Sequence, residues 1–398
     1  MLAFMAIFAI PLLDAIIYVT IYEIDFASPM IDQCFARKLM PVTIKELSKT
    51  LGVSRSTISK ALNDRPDVSP YTKARVLQTA HELGYQPSAA ARNLRRQRTN
   101  KIGLVVNYPI YRVSDYLAEL IPGLAAAAED GEYNLILYTS MAGSAERIKS
   151  LCRSREVDGI VIAWPPSLSE TVALSQLLSD EDMPHIFLPR RVPHSAVSFV
   201  AADHVLGARL LTRHLIQLGH RRIGFQRLPE VFETDSDRHA GYELALREAG
   251  VTYDPQLVIS AHTGDEDYGE RSLKALMALA EPPTAILFFT DPVAIKALSL
   301  AKARGIRVPQ DLSIAGYDGV LSSGVTEPGL TTVRQATAEM GELAAQSLLK
   351  LIADGDSAPE QHILPVDLIV RGSTGPGPRA RYVGTRGGRQ DSERVANA

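Results

Sequence analysis

The sequence predicts a small all-α module followed by an α/β core of two doubly wound parallel-sheet subdomains. Two observations carry this. Between Pro41 and Gly84 apolar residues recur at helical spacing between well-marked caps, and from Lys101 onward short β-rich apolar runs alternate with amphipathic helices, too many for one small sheet. At 398 residues, with 46% hydrophobic and 22% charged side chains, the chain is long enough to bury cores for two or three domains.

The first helix is announced by Thr43 and Glu46, a capping box in which each side chain satisfies the other's free backbone N–H. Ile44, Leu47 and Leu51 follow on one face, and Gly52 supplies the left-handed stop. Ser54 caps a second helix through Ile58, Ala61 and Leu62 to Asn63. Ser69 and Pro70 open a third, through Val76, Leu77, Ala80 and Leu83 to Gly84. Helix, tight turn, helix, loop, helix is a helix-turn-helix unit over residues 41–86. Residues 87–100, PSAAARNLRRQRTN, are too short and polar for a core of their own and form a hinge and linker. Pro87 to Arg96 holds good helix formers, but a helix this short is marginal alone in water and orders only with outside support.

In the remainder, strands are expected at IGLVV (102–106), NLILYT (134–139), DGIVIA (158–163), HIFLP (185–189), RRIGFQ (221–226), near 257–260, at TAILFFT (284–290) and at LSIAGYD (312–318). Helices around 115–130, 144–154, 206–218, 236–249, 268–280 and 292–304 separate them. Residues 373–398 are Gly, Pro, Arg and polar without apolar period, so a disordered tail is expected there.

Charge is uneven. Residues 41–100 carry +7 while the whole chain carries −3, which points to one segment meeting a polyanion. Cys34 and Cys152 form no metal-ligand spacing, so no zinc site, disulfide framework or other cofactor is expected, and a reducing, cytoplasmic setting is. Neither a GxSxG elbow, a P-loop nor a GxGxxG after a strand occurs, and the nine His are scattered; His220 in GHRR reads as a helix terminator. Catalysis is therefore not expected. The opening run Met1–Tyr22 approaches the length of a bilayer span, but Pro11 and Asp14 interrupt it and basic flanks are lacking. With Met40 immediately before Pro-Val-Thr-Ile-Lys, residues 1–39 read as an over-extended start rather than an anchor, which mass spectrometry of the natural N-terminus tests.

The segment from PVTIKELSKTLGVSRSTISKALN through ELGYQPSAAARNLRRQRTNKIGLVV closely resembles the lactose/galactose-repressor family of bacterial transcription regulators. The resemblance continues through GHRRIG (219–224), RHAGYE (238–243), VPQDLSIAGYD (308–318), LTTVRQ (330–335) and LPVDLIVRGST (364–374). It implies a homodimeric repressor on a palindromic double-stranded DNA operator, with a periplasmic-binding-protein-like core over 101–372 that takes a small effector, a sugar or sugar derivative. The N-subdomain is expected at 101–201 and 336–365, the C-subdomain at 202–335 and 366–372. By the same resemblance Arg55, Ser56 and Lys60 match base-reading positions, where Arg or Lys can donate to guanine O6 and N7. Thr43, Ser54, Thr57, Ser59 and Asn63 match phosphate contacts. Leu94 matches a leucine that wedges into a base step of the minor groove, with Arg92 and Arg95 on flanking phosphates. Arg238 and Asp318 match effector contacts; Thr290, where the family usually has Asn, and Gln335 match cleft positions. Bland alternatives stand beside these: a solvated helix face for Arg55 and Lys60, a structural salt bridge for Arg238 and Asp318. The chain departs from the family at Pro189-Arg190 and Asp203-His204, usually Asp-Arg and Asp-Asn, and at NYPIYRVSDY (107–116), which lacks the usual Asn-Pro-Phe. Trp164, Tyr111 and Tyr116 suit either stacking on a sugar ring or plain packing. Two alternative functions remain at this level: a small-solute binding protein or enzyme using only the α/β cleft, and a membrane-anchored version of the same regulator.

Overall fold

The computed structural model describes residues 7–12, 15–20, 42–85, 98–106, 110–139, 144–165, 167–192, 195–228, 233–260, 268–355 and 358–378. The chain divides into two compact units, Met1–Arg96 and Gln97–Ala398.

In the first unit, β1 (Ile7–Leu12) and β2 (Ala15–Thr20) pair as an antiparallel hairpin with Ile10 opposite Ile17. No helix among the described residues is long and apolar enough to cross a membrane. Three helices follow: α1 (Ile44–Leu51), α2 (Arg55–Leu62) and α3 (Pro70–Glu82). Their starts are those the cap chemistry predicts. The Thr43 hydroxyl accepts from the Glu46 amide while the Glu46 carboxylate accepts from the Thr43 amide (2.7 Å), and Ser54 and Ser69 accept from the Thr57 and Thr72 amides at 3.1 and 3.2 Å. Gly52, at φ 67°, turns the chain from α1 into α2. Leu47, Ile58, Ala61, Val68, Val76 and Ala80 close one small core among the three helices.

The second unit carries the α/β core. Its strands and helices are β3 (Lys101–Val106), α4 (Ile110–Asp130), β4 (Asn134–Thr139), α5 (Ser144–Ser154), β5 (Gly159–Ala163), α6 (Leu168–Asp180), β6 (His185–Leu188), β7 (Phe199–Ala202), α7 (His204–Gln217), β8 (Ile223–Arg227), α8 (Glu233–Glu248), β9 (Val258–Ser260), α9 (Tyr268–Met277), β10 (Ala285–Leu287), α10 (Asp291–Ala303), β11 (Ser313–Ala315), β12 (Thr332–Gln335), α11 (Thr337–Asp354), β13 (Gln361–Leu364) and β14 (Val366–Ile369). One parallel sheet has the order β13-β7-β6-β5-β3-β4, the other β11-β10-β8-β9, and β12 pairs antiparallel with β14. Alternate strand residues bury into opposite cores. Val161 and Ala163 join the cluster with Leu120, Leu124 and Met340 of α4 and α11, while Ile160 and Ile162 join Ile148, Leu151 and Leu178 of α5 and α6. Both faces of the sheet are thus covered, which is why its strands read as continuous apolar runs. The chain passes between the subdomains at Asp203, Ala336 and Pro365, just after β7, β12 and β13.

Three departures from expectation stand out. Helices α6 and α11 and strands β7 and β12–β14 extend the predicted set. Residues 373–378 are not tail: Ser373 is fully buried, accepts from the Thr331 amide (2.8 Å) and donates to the Ile314 carbonyl (2.6 Å), and the Gly377 amide reaches the Leu218 carbonyl (2.7 Å). Gly377 has no room for a side chain there, since a Cβ would lie 2.7 Å from the Gly219 carbonyl carbon. Residues 379–398 lie outside the described residues. Finally, His220 does more than end a helix: its ring bonds Thr284 Oγ1 (2.8 Å), Ser313 Oγ (3.1 Å) and the Gly375 carbonyl (3.0 Å), so it holds that last segment down.

Candidate DNA-reading helix and candidate effector site

Burial of Ile58 and Ala61 fixes which face of α2 looks outward. Arg55, Ser56 and Lys60 are exposed on it, Ser59 is half-buried, and Asn63 closes the helix with its side-chain amide on the Ser59 carbonyl (2.5 Å). Lys60 pairs with Asp67 at 2.5 Å; both are about half-exposed, so the pair is a weak surface contact that an anionic backbone can outcompete. Arg55 makes no ion pair among the described residues. Thr43, Ser54 and Thr57 are engaged locally: Thr43 with Glu46, and the Ser54 and Thr57 hydroxyls with each other at 2.8 Å. Their caps leave the amino ends of α1 and α2 presenting partial positive charge, the arrangement that suits phosphate. Arg92, Leu94 and Arg95 lie outside the described residues.

In the core, three of the four expected effector residues meet. Arg238 of α8 donates from Nη2 to Asp318 Oδ1 (3.1 Å), and Gln335 Nε2 donates to the same oxygen (2.9 Å). Arg238 also donates to the Phe289 carbonyl and lies against the Phe289 and Tyr317 rings, 4.2 and 3.8 Å from their centroids. The sequence separations are long, so backbone pairing must hold the group in register. Asp318 donates its amide to the Val333 carbonyl (2.9 Å) and accepts at its carbonyl from the Gln335 amide (3.2 Å), stitching the β11 loop to β12. Asp318 itself sits at φ 116°, a left-handed conformation rare outside glycine and typical of strained functional positions. Asp291 braces that loop from the start of α10, accepting from the Gly319 and Val320 amides (2.8 and 3.0 Å) and the Thr332 hydroxyl (2.6 Å). Thr290, the fourth expected residue, is half-buried as the N-cap of α10 and makes no side-chain cap bond; no hydrogen bond among the described residues ties it to the other three.

Two glycines explain how bulky groups fit. A Cβ on Gly241, in RHAGYE, would lie 2.2 Å from the Val205 carbonyl oxygen, so α7 and α8 touch backbone to backbone one turn beyond Arg238. A Cβ on Gly207 would lie 2.1 Å from the Tyr317 hydroxyl, which uses that space.

The electrostatics are those of a dry site. Arg238, Gln335, His204 and Tyr317 are all at most 4% exposed, and Asp318 is 8% exposed. Burial pushes the Asp318 pKa up to about 6, against the pull of Arg238 and Gln335. Burial also lifts Asp291 well above the usual carboxylate range, with the Asp318 charge adding to it. On the facing subdomain, Trp164 ends β5 at φ 53° and meets Tyr116 edge-on at 5.3 Å. Arg190, also buried, donates to the carbonyl of Pro165, the residue after Trp164 (2.9 Å).

The profile of bacterial regulatory proteins of the lacI family matches residues 43–88, and that of the periplasmic binding protein-like domain matches 212–374. The HTH-type transcriptional regulator CelR of Thermobifida fusca is 32% identical over 83% of this chain and 98% of its own length. The chain belongs to the LacI family. The regulator AglR of Rhizobium meliloti is 33% identical over 85% of this chain and 96% of its own length. A solved complex of CelR with cellobiose superposes with a TM-score of 0.64 at 30% identity, covering 83% of this chain and 99% of that one.

This LacI-family chain is accordingly a DNA-binding transcription regulator with a periplasmic-binding-like core, and not an enzyme. Sequence reasoning missed several residues of its core cluster. Phe289 and Tyr317, whose rings Arg238 lies against, appeared only as members of the runs TAILFFT and LSIAGYD, and Asp291 carried no signal apart from being an acid at a helix start. His204 was visible only as a departure from the family's usual Asn.

Proposed function

We propose that this regulator is a repressor that binds a roughly palindromic operator as a homodimer and is controlled by a small carbohydrate held between the subdomains of its core. The observation that carries the effector half is the buried Arg238–Asp318–Gln335 cluster. Arg238 Nε and Gln335 Oε1 have no hydrogen-bond partner there, a donor and an acceptor kept dry beside a carboxylate. Hydroxyl groups, which donate and accept, match that set. The solved CelR relative carries cellobiose, which favours the same class of ligand here.

On the DNA side, Arg55, Ser56 and Lys60 read base edges from α2, while Thr43, Ser54, Thr57, Ser59 and Asn63 contact phosphates. The hinge of each protomer orders in the minor groove, with Leu94 as the wedge and Arg92 and Arg95 on the backbone. A two-fold dimer reads a two-fold site. Effector and operator are linked because closing the core changes the spacing of the hinges, and the coupling works equally in both directions. The test is a titration of the full chain against operator and random duplex. Leu94→Ala lowers operator affinity much more than random-duplex affinity; equal losses contradict the wedge. A homodimer is checked by sedimentation, where a monomer with full operator affinity contradicts it.

A further inference from the structure

His204 opens α7 immediately after Asp203, whose carboxylate caps the helix by accepting from the Leu206 amide at 2.9 Å. The imidazole is only 3% exposed, and neither Nδ1 nor Nε2 makes a hydrogen bond of ordinary geometry, although the Pro189 carbonyl lies beside the ring. Leaving such a group dry without a well-formed hydrogen bond is costly, so its persistence calls for a reason. Burial first, then the Arg238 and Arg191 cations, hold the ring in its neutral form, against the opposing influence of the Pro189 carbonyl. A neutral imidazole offers one donor and one acceptor.

The neighbours supply the reason. The His204 ring packs on Tyr317 at 5.8 Å between centroids, and Tyr317 in turn carries the Arg238 guanidinium. The Tyr317 hydroxyl also lacks a partner, as do Arg238 Nε and Gln335 Oε1. Among the described residues, four of the side chains with such atoms, His204, Tyr317, Arg238 and Gln335, are linked through Tyr317 and Asp318, while Thr212 of α7 carries one outside that group. Formal charge is already matched nearby: Arg238 faces Asp318, Arg191 faces Asp237 at 3.5 Å, and Asp203 is spent on its helix cap. An added carboxylate meets Asp318 and Asp237, and an added cation meets Arg238 and Arg191, so the group that fits is uncharged.

We propose that His204 is a specificity-determining residue of the effector site, hydrogen-bonding a hydroxyl of an uncharged carbohydrate beside Tyr317. This rests on the carbohydrate reading above and adds a residue and a charge class to it. The experiment is calorimetric titration of the full chain with cellobiose, maltose, glucose, galactose and ribose, and with glucuronate as the charged counterpart. His204→Phe keeps the ring contact and removes both polar atoms; His204→Asn keeps a donor and an acceptor. At least one neutral sugar binds the parent protein, His204→Phe weakens it about ten-fold or more, and His204→Asn weakens it less. Asp318→Asn, run alongside, reports on the cluster itself. If Asp318→Asn loses binding while His204→Phe and His204→Asn retain it in full, His204 is not a contact and the carbohydrate reading survives. Tighter binding of glucuronate than of every neutral sugar overturns the uncharged class. If nothing in the panel binds, the reading and the His204 assignment fall together.

Discussion

Asp318→Asn separates stability from function in a way the geometry makes quantitative. In the folded chain burial raises the Asp318 pKa to about 6, against about 3.9 for an aspartate in an unfolded chain. A raised carboxylate pKa favours the protonated folded state, so this contribution to stability is fully present below about pH 4 and lost as pH rises through 6. The loss is worth about 3 kcal/mol. The substituted amide keeps a carbonyl oxygen for Arg238 Nη2 and Gln335 Nε2, which both use the single oxygen Oδ1, and does not titrate. Near pH 4 both proteins hold a neutral group beside an unneutralised Arg238 and are equally stable. By pH 7 the variant is the more stable by about 3 kcal/mol, although it is expected to lose its effector response. Trp164 is the sole tryptophan and belongs to the core unit, so urea unfolding followed by its fluorescence at pH 4.5, 6 and 7.5 reports on that unit. A variant less stable than the parent at pH 7, with the deficit closing in acid, would falsify the claim that burial outweighs the Arg238 ion pair.

Other perturbations reach different parts of the molecule. Gly207→Ala drives a methyl into the Tyr317 hydroxyl and is expected to cost about 1–3 kcal/mol of core stability in the same urea assay; an unchanged midpoint means Tyr317 has room to move. Arg55→Ala is expected to weaken operator binding by about 1–3 kcal/mol with a smaller effect on random duplex, read by fluorescence anisotropy; a uniform loss makes Arg55 a phosphate contact. Thr43→Ala removes half of the α1 capping box and lowers helix-turn-helix stability by about 1 kcal/mol, seen as earlier loss of helical circular dichroism on heating. An unshifted transition places the stability of α1 in its core contacts alone.

What was legible in the sequence follows the range of the physics. Cap chemistry is local, so Thr43 with Glu46, Ser54, and Ser69 with Pro70 mark helix starts within a residue. Strands buried on both faces advertise themselves as apolar runs, as at 102–106 and 159–163. Helix α11 starts from Ala336, which makes no side-chain cap bond, so its boundary carries no such mark. Helix α6 did have one, Ser167 accepting from the Glu170 amide, and that signal was there to be used. In the site, Arg238, Asp318 and Gln335 lie in recognisable stretches, but their meeting depends on pairing between the β11 loop and β12. Tyr317, Phe289 and His204 acquire their roles only from that tertiary placement. Composition misled at 373–378, because close backbone contact and disorder both select glycine.

In the proposed function one chain reads a specific DNA sequence under the control of its core. Footprinting the full chain on genomic fragments, with and without the sugar that calorimetry selects, tests it most directly. The expected result is a short protected inverted repeat whose occupancy changes with the sugar and ceases to change in Asp318→Asn. Protection without sequence preference, or a specific footprint indifferent to every sugar that binds the core, would contradict it.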